Sequence, residues 1–176
     1  MKKYAQKITV LFFSTIVLTG LMVTHAQEKV QRDSIIVAAR EIMAQQTYCA
    51  LITIDSAGLP EVRTMNPFPP DSNMVVWIAT NSRSRKIQEI KNNPNVCLYY
   101  ADHKYATGYV AINGKAELVD DMNIKLKMKR EYWNQAFPDF QYLVLIKIIP
   151  QTINVLNYKR GMVNDTLTWK TPSIKF

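Results

Sequence analysis

At 176 residues the chain has room for one full-size domain and not for two. Apolar residues make up 48% and charged residues 20%, so a packed core is expected, and five Gly with eight Pro exclude collagenous or low-complexity character. With only His25, His103, Cys49 and Cys97 available, the usual closely spaced Cys/His zinc sets cannot be assembled, and the formal charge of +8 directs attention to anionic partners instead.

Lys2, Lys3 and Lys7 precede an uncharged apolar run from Ile8 to Val23, and Thr24-His25-Ala26 ends on a small residue. This pattern predicts a secretory signal over 1–26, cleaved after Ala26. The run has 16 residues where a spanning helix needs roughly 20, so no stable membrane span is expected after cleavage. The remaining residues, 27–176, are read as one domain, exported to the periplasm or secreted. Losing three lysines and no acid takes the charge to +5, from 19 basic and 14 acidic residues. The basic residues cluster at Arg83-Ser84-Arg85-Lys86 and from Lys125 to Arg130. Export argues against nucleic acid as their partner and favours a phosphate-bearing small molecule. In an oxidising compartment Cys49 and Cys97 either pair or remain buried thiols, and the sequence leaves both open.

From Asp33 to Gln46 the apolar residues Ile35, Ile36, Ala39, Ile42 and Met43 recur at helical spacing, with Asp33 or Ser34 as the cap. Tyr48 to Ile54 and Pro60 to Asn66 read as a hairpin around the turn Asp55-Ser56-Ala57-Gly58, stopped by the proline-rich Pro67-Phe68-Pro69-Pro70. Met74 to Thr80 is a third strand. Ser82 or Ser84 opens a helix through Asn92, Pro94 closes it, and Val96 to Tyr100 is a fourth strand. Tyr109 to Val119 is strand-like, and Asn113-Gly114 within it suits either a hairpin turn or a bulge. Asp120 or Asp121 caps a helix to about Ala136. Further strands are expected at Gln141 to Ile149, Thr152 to Tyr158 and Thr166 to Lys170. About seven or eight short strands and three helices, without any repeat, define a mainly β fold: a small, largely antiparallel barrel with peripheral helices.

The segment from Asp55 to Tyr100 carries the chemistry. Arg63 lies on a strand, Thr80 ends another, and Asn81-Ser82-Arg83-Ser84-Arg85-Lys86 leads into a helix. Hydroxyls, cations and a helix N-terminus, with its unpaired amides and positive dipole end, form a natural seat for a phosphate. An ordinary solvated basic face has the same local composition. The run Gly58-Leu59-Pro60, Arg63-Thr64-Met65-Asn66, Trp77-Ile78-Ala79-Thr80, Ser84-Arg85-Lys86, Asn92-Asn93-Pro94-Asn95-Val96 and Gly114-Lys115-Ala116-Glu117 resembles the FMN-binding split β-barrel of the pyridoxamine 5′-phosphate oxidase superfamily, and within it the general-stress-protein subgroup.

The resemblance implies an FMN at a homodimer interface. It implies Arg63, Arg85 and Lys86 on the phosphate, with hydroxyls from Thr80 and Ser84. Thr64, Met65 and Asn66, together with Ile78 and Ala79, would flank the ring and ribityl chain. It also favours a bulge at Asn113-Gly114, because the corresponding strand is usually continuous. The vitamin-B6 oxidase proper often has Gln where Tyr109 stands, and a C-terminal segment with Trp and Arg; here Trp169 has no Arg beyond it. Oxidation of pyridoxamine phosphate is therefore not expected. What is expected is an FMN-dependent oxidoreductase using a small-molecule electron donor or acceptor, with no catalytic side chain and no metal. The alternative is an exported flavin-binding protein without turnover, or a haem-binding one using His103.

Overall fold

The computed structural model describes residues 29–176, so the expected signal segment lies outside the described residues. A helix runs over 29–44 (α1) rather than starting at Asp33. Ser34 therefore lies within it and does not cap; its hydroxyl donates to the Val30 carbonyl one turn back, 2.8 Å away. In the part from Ala38 onward, Ala38, Ala39, Ile42 and Met43 are buried, which is the face the periodicity marks.

Residues 38–176 are organised by one sheet. Strand β1 (Cys49–Ile54) and β2 (Pro60–Met65) form the expected hairpin. Its turn is fixed by Asp55, whose Oδ1 accepts from the Ala57 and Leu59 amides, both at 2.8 Å, while Gly58 takes a φ of +82° that a side chain would resist. Next come β3 (Val76–Asn81), helix α2 (Arg85–Asn92), β4 (Asn95–Ala101) and β5 (Gly108–Val119). Strand β6 (Leu143–Asn157) and β7 (Ser173–Lys175) complete the sheet. The order is β2-β1-β4-β5-β6-β3, with β7 on β6 and every pairing antiparallel. The sheet curls into a half-barrel, and its open edges, β2 and β3, approach where Pro67 just past β2 bridges to Ile78. Leu51, Ile78, Leu98, Ile112, Ile146 and Ile148 fill the inside. Each contributes about 1.5–3 kcal/mol by leaving water.

Three expectations change, and two open alternatives are decided. The two late strands Gln141 to Ile149 and Thr152 to Tyr158 are one strand, β6, running through Pro150. Asn113 faces Thr152 but Gly114 faces Pro150, so Gln151 is the extra residue of a bulge. A bulge tolerates proline because its amide is not needed in the ladder. The hairpin alternative at Asn113-Gly114 is thereby excluded.

The long helix from Asp120 to Ala136 is two short ones, α3 (Met122–Lys127) and α4 (Trp133–Ala136). Asp121 caps the first as expected, accepting from the Ile124 amide at 2.9 Å. The break follows from tertiary demands: Trp133 buries itself with Leu143 and Leu145, against the edges of Phe68 and Phe137. Arg130 turns away to Asn66 and Pro67. The strand expected at Thr166 to Lys170 is instead a turn in which Asp165 Oδ1 accepts from the Leu167 and Thr168 amides and the Thr168 hydroxyl, taking up groups a ladder would use. The terminal strand is β7. Finally, Cys97 pairs with Ile52, three positions along β1 from Cys49, so the two sulfurs project from opposite faces of the sheet. Both are free thiols, Cys49 buried and Cys97 half-buried, and neither can reach the other without backbone movement.

Candidate cofactor site

Helix α2 reaches both sides of the seam between β2 and β3, through Lys86 to Thr80 on β3 and through Glu89 to Arg63 on β2. Asn81, the last residue of β3, shapes the start of that helix: its Oδ1 accepts from the Arg83 amide at 2.8 Å and its carbonyl from the Ser84 amide at 3.0 Å. Ser84 is the N-cap residue, and its carbonyl accepts from Ile87. Its hydroxyl, however, makes no capping bond and is buried without a hydrogen-bond partner. A buried hydroxyl left unpaired costs about 1–3 kcal/mol, so a partner brought by a ligand is favoured.

Two residues further, Lys86 Nζ donates to Thr80 Oγ1 at 3.1 Å. Thr80 is on the inward face of β3 and only 5% exposed. Burial, and after it the neighbouring Arg63 charge, push the Lys86 ammonium below the usual lysine range, with Glu89 opposing part of the shift. Arg63 stands opposite Leu51 on the same inward side of the hairpin. Its Nη2 donates to both Glu89 carboxylate oxygens at 2.7 and 2.6 Å, and its Nη1 to Thr53 Oγ1 at 2.5 Å. Thr53 donates in turn to Glu89 at 2.5 Å, which closes a buried triad.

The structure thus brings together Arg63, Thr80, Ser84 and Lys86. Arg85 lies on the rim, its side chain 78% exposed and 3.4 Å from Glu61. Met65 shares the side of Arg63, whereas Thr64 points to the other face and lines a shallow depression with Tyr48, Tyr99 and His103. Asn66 lies past the strand end, where its Oδ1 accepts from Arg130 at 2.8 Å. Arg130 also donates to the Pro67 carbonyl at 2.9 Å and stacks 3.7 Å from the Phe68 ring centroid. A cavity of about 460 Å³ opens beside Asn66 and Phe68, a volume suited to a small organic ligand. The Ile78 side chain is wholly in the core, so it offers a ligand only backbone, and Ala79 packs toward Trp133. His103 is an exposed loop residue whose ring lies 6.2 Å from Tyr99.

Glu89, Thr53 and Arg130 were not singled out by the sequence. Glu89 had a usable signal, three residues after Lys86 and so on the same face of α2. Thr53 alternates with Cys49 and Leu51 as a polar residue in a buried row. Nothing in the spacing ties Arg130 to Asn66. Among the described residues there is no grouping of three His, Cys, Asp or Glu side chains fit for a metal. The seam offers donors instead: an ammonium, an unpaired hydroxyl and the amides of a helix start, a set that matches a phosphate monoester.

This curled antiparallel half-barrel is the fold of the FMN-binding split barrels. Residues 36–157 match the family model described as pyridoxamine 5′-phosphate oxidase, and the chain belongs to that family. General stress protein 26 of Bacillus subtilis (strain 168) is 31% identical over 105 residues, covering 57% of this chain and 73% of that protein. Pyridoxine/pyridoxamine 5′-phosphate oxidase 2 of Arabidopsis thaliana is 32% identical over 104 residues, 55% of this chain but only half of the plant protein's length. Among solved structures, general stress protein 26 from Bacillus anthracis str. Sterne matches with a TM-score of 0.56 at 28% identity, over 66% of this chain and 92% of that one. A protein related to general stress protein 26 from Clostridium acetobutylicum gives 0.67 at 17% identity, over 81% and 95%, which speaks to the fold alone. The chain fits the general-stress-protein branch of the family.

Proposed function

We propose that this protein binds FMN at the β2/β3 seam and acts as a flavin-dependent oxidoreductase on a small-molecule electron donor or acceptor. The observation that carries this reading is the donor set of Lys86, Thr80 and Ser84 around the start of α2, in which the Ser84 hydroxyl is left without a partner. In this reading Lys86, Thr80, Ser84 and, from the rim, Arg85 hold the phosphate. The backbone of 63–66 and 78–79 lies along the ring and ribityl chain. Bound FMN would supply the hydride or electron transfer. The chain's own part is to bind the phosphate, orient the ring and keep water from one of its faces, and no side chain is assigned as acid or base.

Two further proposals accompany this one. The outward face of β1, β2, β4 and β5 carries Ile52, Val62, Cys97, Tyr99 and Tyr109, none of them buried, with Val62 62% exposed. A second copy in a symmetric homodimer covers such a face most simply. The basic and then apolar start of the chain supports export. Purified protein should show a flavin absorption spectrum, or acquire one on addition of FMN, and the bound flavin should be reduced by a nicotinamide donor and reoxidised by acceptors. Flavin that binds but never cycles with any donor reduces the role to binding without turnover, and protein that cannot be loaded with FMN overturns the reading.

A further inference from the structure

Arg63 sits in the phosphate cluster but is not free to serve it. Both oxygens of Glu89 take its Nη2, at 2.7 and 2.6 Å, and Thr53 takes its Nη1. With Nη2 shared by both carboxylate oxygens and Nη1 on Thr53, the two terminal nitrogens that would form a fork on a phosphate are already engaged. Glu61 adds a second carboxylate 3.7 Å from Arg63 and 3.4 Å from Arg85. Glu89 is 7% exposed, so removing Arg63 would leave a buried carboxylate without its counter-ion. The net positive charge at the seam therefore comes down to Lys86, one turn before Glu89 on the same helix face.

We propose that Glu89 is a specificity-determining residue: as the built-in counter-ion of Arg63, it sets how far the seam prefers a phosphorylated flavin over an unphosphorylated one. This rests on the flavin reading of the seam. Without Glu89, Arg63 would add its charge to that of Lys86 and the site would hold a phosphate dianion more tightly. With Glu89, Arg63 is held in place whether or not a ligand is present, and the site keeps a moderated field.

The test uses the full chain, with FMN and riboflavin titrated separately and read by flavin fluorescence. Glu89→Gln keeps an amide that accepts from Arg63 and Thr53 but removes the charge. It should tighten FMN about tenfold, the effect of one charge at a partly buried site, and leave riboflavin within about twofold. Arg63→Gln should do the reverse, because Glu89 then faces the phosphate uncompensated. The double variant Arg63→Gln/Glu89→Gln, which removes both charges, should return to the wild-type ratio of FMN to riboflavin affinity. Equal loss of both flavins in Glu89→Gln, or an unchanged ratio, overturns the proposal, as does a double variant that behaves like Arg63→Gln. If Glu89→Gln does not fold, the charge-balanced double variant decides alone on the same criterion. If the wild type binds neither flavin, it is the flavin reading that fails. Inorganic phosphate then becomes the probe: a larger upward shift of thermal unfolding by phosphate in Glu89→Gln than in the wild type supports the counter-ion role, and an equal shift overturns it.

Discussion

Ser84 and Lys86 make the sharpest demands at the scale of single residues. The Ser84 hydroxyl is buried and unpaired, so Ser84→Ala should leave the ligand-free protein as stable as before or up to about 1 kcal/mol more stable, and weaken FMN binding. A thermal melt with and without FMN checks both halves; a clear loss of stability without ligand would show that the hydroxyl has a structural partner. Lys86→Ala should weaken FMN by about 1.5–3 kcal/mol through loss of a charge-assisted contact, with riboflavin little changed. If riboflavin falls as far, Lys86 does not hold the phosphate. Burial, then the Arg63 charge, lowers the Lys86 pKa from its ordinary 10.5, and this has two consequences of opposite sign. Between the lowered value and 10.5 the unfolded chain holds a proton that the folded chain has released, so folding stability rises with pH across that window. In the same window the charge that grips phosphate disappears. FMN affinity should therefore decline at a pH where an exposed lysine is still charged, and Lys86→Arg should move that decline out of the measured range.

Among the elements, the bulge between β5 and β6 leaves little room for a side chain. A Cβ on Gly114 would lie 2.2 Å from the Ile149 carbonyl oxygen, and its nearest neighbours are all backbone of Ile149 and Pro150, with no flexible side chain to yield. Gly114→Ala should cost about 2–3 kcal/mol, seen as a lower urea midpoint. Gly58→Ala meets nothing within 4 Å and should cost only about 1–2 kcal/mol, from its positive φ. If the two variants unfold at the same midpoint, crowding at the bulge is not what selects glycine. Elements governed by local chemistry were legible in the sequence. The Asp55 turn, the cap at Asp121 and the start of α2 are each set by side-chain oxygens a few residues from the backbone groups they bind. Elements governed by distant partners were not. Pro150 reads as a break until β5 is laid against it, and the run to Ala136 reads as one helix until Trp133 is seen in the core with Leu143. The candidate site divides along the same line. Thr80, Ser84 and Lys86 lie within seven residues and were recognisable together, whereas the hold of Glu89 on Arg63 spans 26 residues and exists only in three dimensions.

At the scale of the whole molecule, the proposed dimer makes FMN and assembly partners in one equilibrium. Ligand that binds the assembled form stabilises it by mass action, so sedimentation at micromolar concentration should show more dimer with FMN than without. A monomer that holds flavin tightly would show the site to be complete in one chain. The two cysteines give this equilibrium a reporter that needs no engineering. Burial pushes the Cys49 thiol up to about 12, and it raises Cys97 as well, but Cys97 is only half-buried and stands on the outward face proposed to meet the second copy. An alkylating reagent followed by mass spectrometry should then add its first adduct at Cys97 at a rate that falls as protein concentration rises, and its second at Cys49 only as fast as the barrel opens. One time course would thus separate the lifetime of the assembly from the lifetime of the fold, because the chain keeps one sulfur on each side of its sheet.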